Sequence, residues 1–205
     1  MSGSRSTPTT RLGTWVAAAL FAVGIGAVVS GGHADAAIAC TTRTTTKAFA
    51  TWGDQNAYFA IPNGTFESTS GWVNNGTSTV TPNEPWKVVS SLNVTALQIR
   101  SGATAISPQF CVGSAEDALR LFVKLPGISS ALLHVHIDVV SGVNRATNDY
   151  DVSGGGTGWT PTQRIMLPDI RDASGQQLVT ITFSTRGTAA TWVIDDVMLD
   201  PWRLV

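Results

Sequence analysis

Three features of the sequence predict an all-β chain folded as one antiparallel sandwich. Leu119, Leu121, Val123 and Leu125 alternate with Arg120, Phe122 and Lys124, and Leu133, Val135, Ile137 and Val139 alternate with His134, His136 and Asp138, the period of a strand with one face buried. Short β-prone runs recur along the chain, each stopped by Gly, Pro, Asn or Ser, which is the spacing of sandwich strands and their turns. No stretch carries the 3.6-residue period of an amphipathic helix over a convincing length, and no internal repeat is present.

Taken in order, the chain opens on an export signal. Arg5 and Arg11 precede an apolar run from Trp15 to Val29, and Ala34-Asp35-Ala36 has the small-x-small form of a cleavage site, so residues 1–36 read as a signal peptide. The run is short and glycine-broken for a membrane span. Cys40 also lies too far beyond its end for a lipoprotein. Residues 37–56, Thr-rich and without a clear period, read as an extended N-terminal tail. Residues 57–205 read as the sandwich, with strands at Ser78 to Thr81, Trp86 to Ser90, Thr95 to Arg100, Ala103 to Val112 and the two alternating runs. Arg145 to Val152, Thr160 to Leu167, Leu178 to Thr185 and Trp192 to Leu199 complete the set, and the Asp-Pro-Trp-Arg run from Asp200 caps the last.

Composition bounds the function. Without its first 36 residues the chain keeps 11 basic and 13 acidic residues, and no basic stripe suited to nucleic acid or polybasic membrane patch appears. Arg outnumbers Lys ten to three, a bias of GC-rich bacterial genomes. The two cysteines, Cys40 and Cys111, are both in the exported part, and an even count in an oxidising compartment predicts a disulfide tying the tail to the strand near Phe110. There is no Gly-x-Ser-x-Gly elbow, no His-Glu-x-x-His and no phosphate-binding glycine motif.

Two runs stand apart. Asn63 to Trp72 reads Asn-Gly-Thr-Phe-Glu-Ser-Thr-Ser-Gly-Trp, a turn pair expected to launch a short strand through Phe66 and Glu67, and Trp192 to Leu199 reads Trp-Val-Ile-Asp-Asp-Val-Met-Leu. Together they resemble the first and last strands of the jelly-roll carbohydrate-binding modules of the family 4, 9 and 22 type and of galactose-binding-like domains. The resemblance implies a jelly roll, with an immunoglobulin-like sandwich as the competitor, and places the two runs at neighbouring edges. It also implies a non-catalytic, secreted protein that contacts carbohydrate. It further implies a structural calcium held by the backbone of Thr65, the Glu67 carboxylate and Asp195, oxygen ligands suited to a hard cation. No acidic ligand is evident between Ser90 and Thr95.

Three constellations bear on chemistry. Asp195 and Asp196, adjacent on a strand, are expected to point to opposite faces and so not to act as a hydrolytic pair. His134, His136 and Asp138 share one strand face at about 7 Å spacing, which fits a metal site, a sugar-contacting row or a solvated face. If the Leu and Val rows face inward, Arg120, Phe122 and Lys124 join His134, His136 and Asp138 in one cleft on neighbouring strands, with Trp86 and Tyr150 as platforms at the rim. Trp72, Trp159 and Trp192 are expected in the core. The competing function is a cell-envelope sandwich that meets a protein partner, and a third is a metal enzyme built on His134 and His136.

Overall fold

The protein is described by a computed structural model covering residue 40 and residues 43–127, 130–154, 156–187 and 189–200. The proposed signal peptide and the residues after Asp200 lie outside this range. The described residues form an antiparallel sandwich whose one helical element is a 3-10 turn, Ala50–Trp52.

The first sheet contains β3 (Ser78–Val80), β4 (Ala96–Arg100), β7 (Ala118–Lys124), β10 (Thr160–Pro161) and β13 (Thr191–Asp200) in the order β10-β7-β13-β4-β3. Two short strands join it, β1 (Phe59–Ala60) on β13 and β11 (Ile165–Met166) on β7. The second sheet runs β2 (Val73–Asn75), β5 (Thr104–Ile106), β12 (Gln177–Arg186), β8 (Leu132–Ser141) and β9 (Asn144–Val152), with β6 (Phe110–Val112) also on β12. From β4 onward the chain passes repeatedly between the sheets, with β4, β7, β10, β11 and β13 in one and β5, β6, β8, β9 and β12 in the other. This is the jelly-roll sandwich that the terminal motifs imply.

The alternation sets the core. Leu133, Val135, Ile137 and Val139 of β8 face Leu119, Leu121 and Val123 of β7 across the interior, with Phe66, Trp72, Phe183 and Trp192 filling the gap. Each such side chain, fully buried, contributes about 1.5–3 kcal/mol. Trp72 and Trp192 are core residues as expected, whereas Trp159 packs at the edge of a second cluster.

That second cluster lies on the other side of the first sheet. Residues 43–58, expected as an extended tail, turn back on themselves: Thr46 and Tyr58 exchange backbone hydrogen bonds of 2.7 Å in each direction, and Phe49 drops onto the outer face of β7. Phe49 stacks on Phe122 at 5.1 Å and meets Tyr58 edge-on at 4.7 Å. The central strand β13 is therefore covered on both faces, which is why its outward residues Val193 and Met198 are as apolar as its inward ones.

The disulfide forms between Cys40 and Cys111, closing a separation of 71 residues. Arg43 reinforces it, binding Glu116 at 3.0 Å and the Cys111 carbonyl and lying 4.0 Å over the Phe59 ring.

The Asn63–Trp72 and Trp192–Leu199 runs do meet, but not as edge strands. β13 is central, and residues 61–72 form turns with no strand through Phe66 and Glu67. The contact is made by Gly64, whose carbonyl accepts the Val197 N–H at 2.9 Å. A Cβ at Gly64 would lie 2.8 Å from the Val197 carbonyl oxygen and from Ile61 Cγ1, so glycine is required there by close approach.

Candidate functional site

The cleft expected from Arg120, Phe122, Lys124, His134, His136 and Asp138 does not form. β7 and β8 are consecutive in sequence but belong to different sheets, so the two polar rows look out from opposite sides of the sandwich. Period-2 patterning tells which residues leave the core, not which sheet they leave by. Arg120 and Phe122 are corrected further, because residues 43–58 bury both. Arg120 donates to Asp54 at 2.7 Å and to the Thr162 carbonyl at 2.9 Å, and its guanidinium lies 4.0 Å over the Phe49 ring. It is a structural clamp. Tyr150, opposite Val135 on β9, points inward and packs on the main core, so it offers no platform to the histidine row.

What the first sheet does present is an aromatic surface. Trp86 is 40% and Trp52 36% exposed. Their ring centroids are 4.6 Å apart at 85°, and both rest on the buried Phe122 ring, at 5.5 Å and 5.3 Å. Trp159, half-buried, packs on the same cluster. The loop carrying Trp86 is fixed by Glu84, whose carboxylate accepts the N–H groups of Trp86 and Val88. Lys124, half-exposed, is the next outward position beyond Phe122, in a row with Val193 and Gln98 across β7, β13 and β4. Trp86 is a platform residue that the sequence reading names. Trp52 is not named, because nothing in a Thr-rich tail signals that it folds over a sheet.

On the second sheet, His134 and His136 meet carboxylates from the neighbouring strand. Asp149 Oδ1 lies 2.8 Å from His136 Nδ1 and 3.1 Å from His134 Nε2, and Asp151 Oδ1 lies 2.8 Å from His134 Nδ1. Asp138 Oδ2 is 3.3 Å from His136 Nε2, and Arg186 binds Asp151 at 2.8 Å. The hydrogen bond from His136 to Asp149 raises the imidazole pKa above its ordinary value, against a smaller opposing effect of burial, and the same bond lowers that of Asp149.

The third feature is a buried acid cluster at the junction of the two terminal motifs. Glu84, Asp195 and Asp196 are all 0% exposed, and no Lys or Arg ion pair reaches them among the described residues. Asp195 and Asp196 do not diverge as expected. The β7–β13 register shifts between Asp195 and Met198, and Asp196 adopts φ 45, a bulge that turns both acids to one buried region. Asp195 accepts the N–H groups of Glu84 and Asp196, while neither carboxylate oxygen of Asp196 has a hydrogen-bond partner. Burial raises the pKa of both, and repulsion adds to it, from Glu84 and Glu67 for Asp195 and first from Asp195 itself for Asp196. Glu67 spends Oε1 on the N–H groups of Val94 and Thr95 at 2.6 Å and 2.7 Å. Thr65 is half-buried in the turn before it.

Among the described residues no helix is long and apolar enough to cross a membrane. No family model matches the chain, and no curated protein matches it. Among solved structures it is similar to the carbohydrate-binding module TmCBM61 in complex with β-1,4-galactotriose, at TM-score 0.45 and 13% identity, covering 68% of this chain and 96% of that one. It is also similar to the CBM22-1-GH10 modules of a Clostridium thermocellum endo-1,4-β-D-xylanase complexed with xylohexaose, at TM-score 0.46 and 18% identity, covering 69% of this chain and 28% of that one. A third is the family 11 carbohydrate-binding module of a Clostridium thermocellum cellulosomal cellulase, at TM-score 0.39 and 15% identity, covering 69% of this chain and 94% of that one.

Proposed function

We propose that this is an exported, non-catalytic binding protein whose ligand is a polysaccharide, held on the outer face of the first sheet at Trp52 and Trp86. The observation that carries the reading is the exposed tryptophan pair set on a rigid buried aromatic base. A pyranose ring presents an apolar face, and an indole held in place stacks on it at little cost in conformational entropy. Most aromatics of a sandwich are consumed by the core, so two neighbouring indoles left in solvent on an ordered surface invite a ligand. Export accords with the disulfide, which persists in oxidising compartments. The acids with strongly raised pKa are sealed from solvent, out of reach of a glycosidic bond.

The reading includes a structural calcium at the acid cluster. The fully buried Asp196 keeps two carboxylate oxygens without a partner, beside Glu84 and Asp195 and with no cationic side chain among the described residues, and oxygen donors of this kind suit a hard cation. Asp196 supplies the unused carboxylate oxygens, in place of the expected Asp195, whose oxygens accept backbone N–H groups. Thr65 and Glu67 remain the contributors from the first motif. No three His, Cys, Asp or Glu side chains among the described residues form a ready-made cage, so backbone oxygens complete the shell. Bound there, the ion offsets the buried charge and ties the turn at Gly64 to β13.

The test is affinity electrophoresis and isothermal titration of residues 38–205 against a polysaccharide panel. Saturable binding that Trp86→Ala and Trp52→Ala abolish, with melting unchanged, is the expected result. Absence of binding by folded protein overturns the reading. The competing protein-contact reading rests on Val89, Leu92 and Val94, exposed in the loop after Trp86, Leu92 by 83%. It predicts concentration-dependent association that Leu92→Ser removes.

A further inference from the structure

We infer that the polysaccharide is anionic, its pyranose units bearing carboxylates. This rests on the tryptophan-platform reading and names the class of glycan it serves.

The inference comes from how charge is distributed on the outer face of the first sheet. The acids there have partners, including the one exposed carboxylate near the cluster, Glu67, whose Oε1 accepts the Val94 and Thr95 N–H groups. Asp54 is taken by Arg120 and Tyr58, and Asp200 by Arg164 at 2.7 Å. Glu84 and Asp195 are fully buried and accept backbone N–H groups. The basic groups are not matched in the same way. Lys124 has no carboxylate partner among the described residues, and its stem lies in a row with the buried Val193 and with Gln98. Lys87, beside Trp86, spends its ammonium only on the Ser91 carbonyl at 3.0 Å, and Arg100 only on Gln98 at 3.0 Å. Solvent therefore meets an aromatic pair flanked by Lys87 and Lys124, with no unpartnered acid beside it among the described residues.

The chain as a whole carries a formal charge of −1, so this excess is local. Three acids that are not buried, Asp138, Asp149 and Asp151, sit together on the opposite face, around the histidines. A ligand approaching the tryptophans meets positive potential, which raises the encounter rate and local concentration of a polyanion. An indole supports the ring of a hexuronate as it does that of a neutral hexose, while Lys124, part-covered and one outward position from Phe122, is placed to accept the carboxylate as an ion pair.

The experiment compares polygalacturonate, its neutral counterpart galactan, and dextran sulfate by isothermal titration, at about 20 mM and about 500 mM salt, a range across which surface ion pairs are progressively screened. The proteins are wild type, Trp86→Ala and Lys124→Met, the last preserving side-chain volume, each checked by its melting curve. We expect polygalacturonate to bind about five-fold tighter than galactan at low salt, the scale of one partly exposed ion pair. That preference should vanish in Lys124→Met and shrink at high salt, while Trp86→Ala loses both ligands.

Equal binding of both galactose-based polymers, insensitive to salt and lost in Trp86→Ala, would overturn the anionic class and leave the carbohydrate platform standing. Dextran sulfate bound as tightly as polygalacturonate, with Trp86→Ala indifferent, would show unspecific charge attraction and overturn it too. No binding to any of the three by folded protein would overturn this inference together with the platform reading.

Discussion

Replacing Arg120 by alanine should unseat the N-terminal segment from the first sheet. Arg120 holds three partners at once, the Asp54 carboxylate at 2.7 Å, the Thr162 carbonyl at 2.9 Å and the Phe49 ring at 4.0 Å. Its side chain is 11% exposed and that of Asp54 20%, so solvent screens the pair only in part. A hydrogen bond to a charged group contributes about 1.5–3 kcal/mol, and a partly desolvated cation over a ring about 1 kcal/mol. Allowing for rearrangement of Asp54 toward Tyr58, the loss should be about 3–4 kcal/mol, within the range for breaking a buried ion pair. For a domain of this size that lowers the melting temperature by about 10 °C. Urea unfolding of Arg120→Ala, Asp54→Asn and the double variant measures it. A coupling energy of at least about 1.5 kcal/mol is expected between the two sites. Strictly additive effects, or a loss below about 1 kcal/mol with glycan binding abolished, would refute the clamp and return Arg120 to the ligand.

Other outcomes follow from the same contacts. The His136–Asp149 bond should be strongest between the two groups' titrations. Asp149, lowered when folded, contributes above its ordinary value and loses that as pH falls through the folded one; His136, raised when folded, contributes below its ordinary value and loses that as pH rises through the folded one. Amide exchange along Asn144–Val152, corrected for intrinsic rates, should accelerate above neutrality, and Asp149→Asn should flatten the profile; an unchanged profile refutes the pairing. Chelation should lower the melting temperature of protein prepared with calcium, since a ligand at 100 times its Kd adds about 2.7 kcal/mol. Asp196→Asn should erase the difference, and a melt indifferent to chelator would exclude a stabilising cation. Replacing Cys40 and Cys111 together by serine should cost about 4 kcal/mol, the entropy of a loop of this length, with a change under about 1 kcal/mol pointing to a tail held mainly by Arg43 and Phe49.

Much of the fold is legible in the sequence. The strands at Leu119 to Leu125 and Leu133 to Val139 appear as β7 and β8 within a residue or two at each end, because the face of each that enters the core repeats every second residue. Trp86 to Ser90 did not become a strand, since Glu84 draws in the N–H groups that a ladder would have used. Thr160 to Leu167 broke into two short pairings on β7, with the Thr162 backbone diverted to Leu121 and Arg120. The acid cluster was only half legible. Glu67 and Asp195 stood out by motif, but no motif marks Glu84, and the convergence of Asp196 depends on a bulge that side-chain period does not encode.

By itself, then, the sequence determined that the chain is a two-sided β-structure, which residues leave its core, and that its two cysteines join, because these follow from local periodicity and from the pairing chemistry of an even thiol count. Only the tertiary structure decided that β7 and β8 face opposite ways, that residues 43–58 cover Arg120 and Phe122, and that Trp52 comes to stand against Trp86. Those outcomes rest on contacts between residues far apart in the chain, such as Phe49 on Phe122 and Asp54 on Arg120, whose geometry no local pattern specifies.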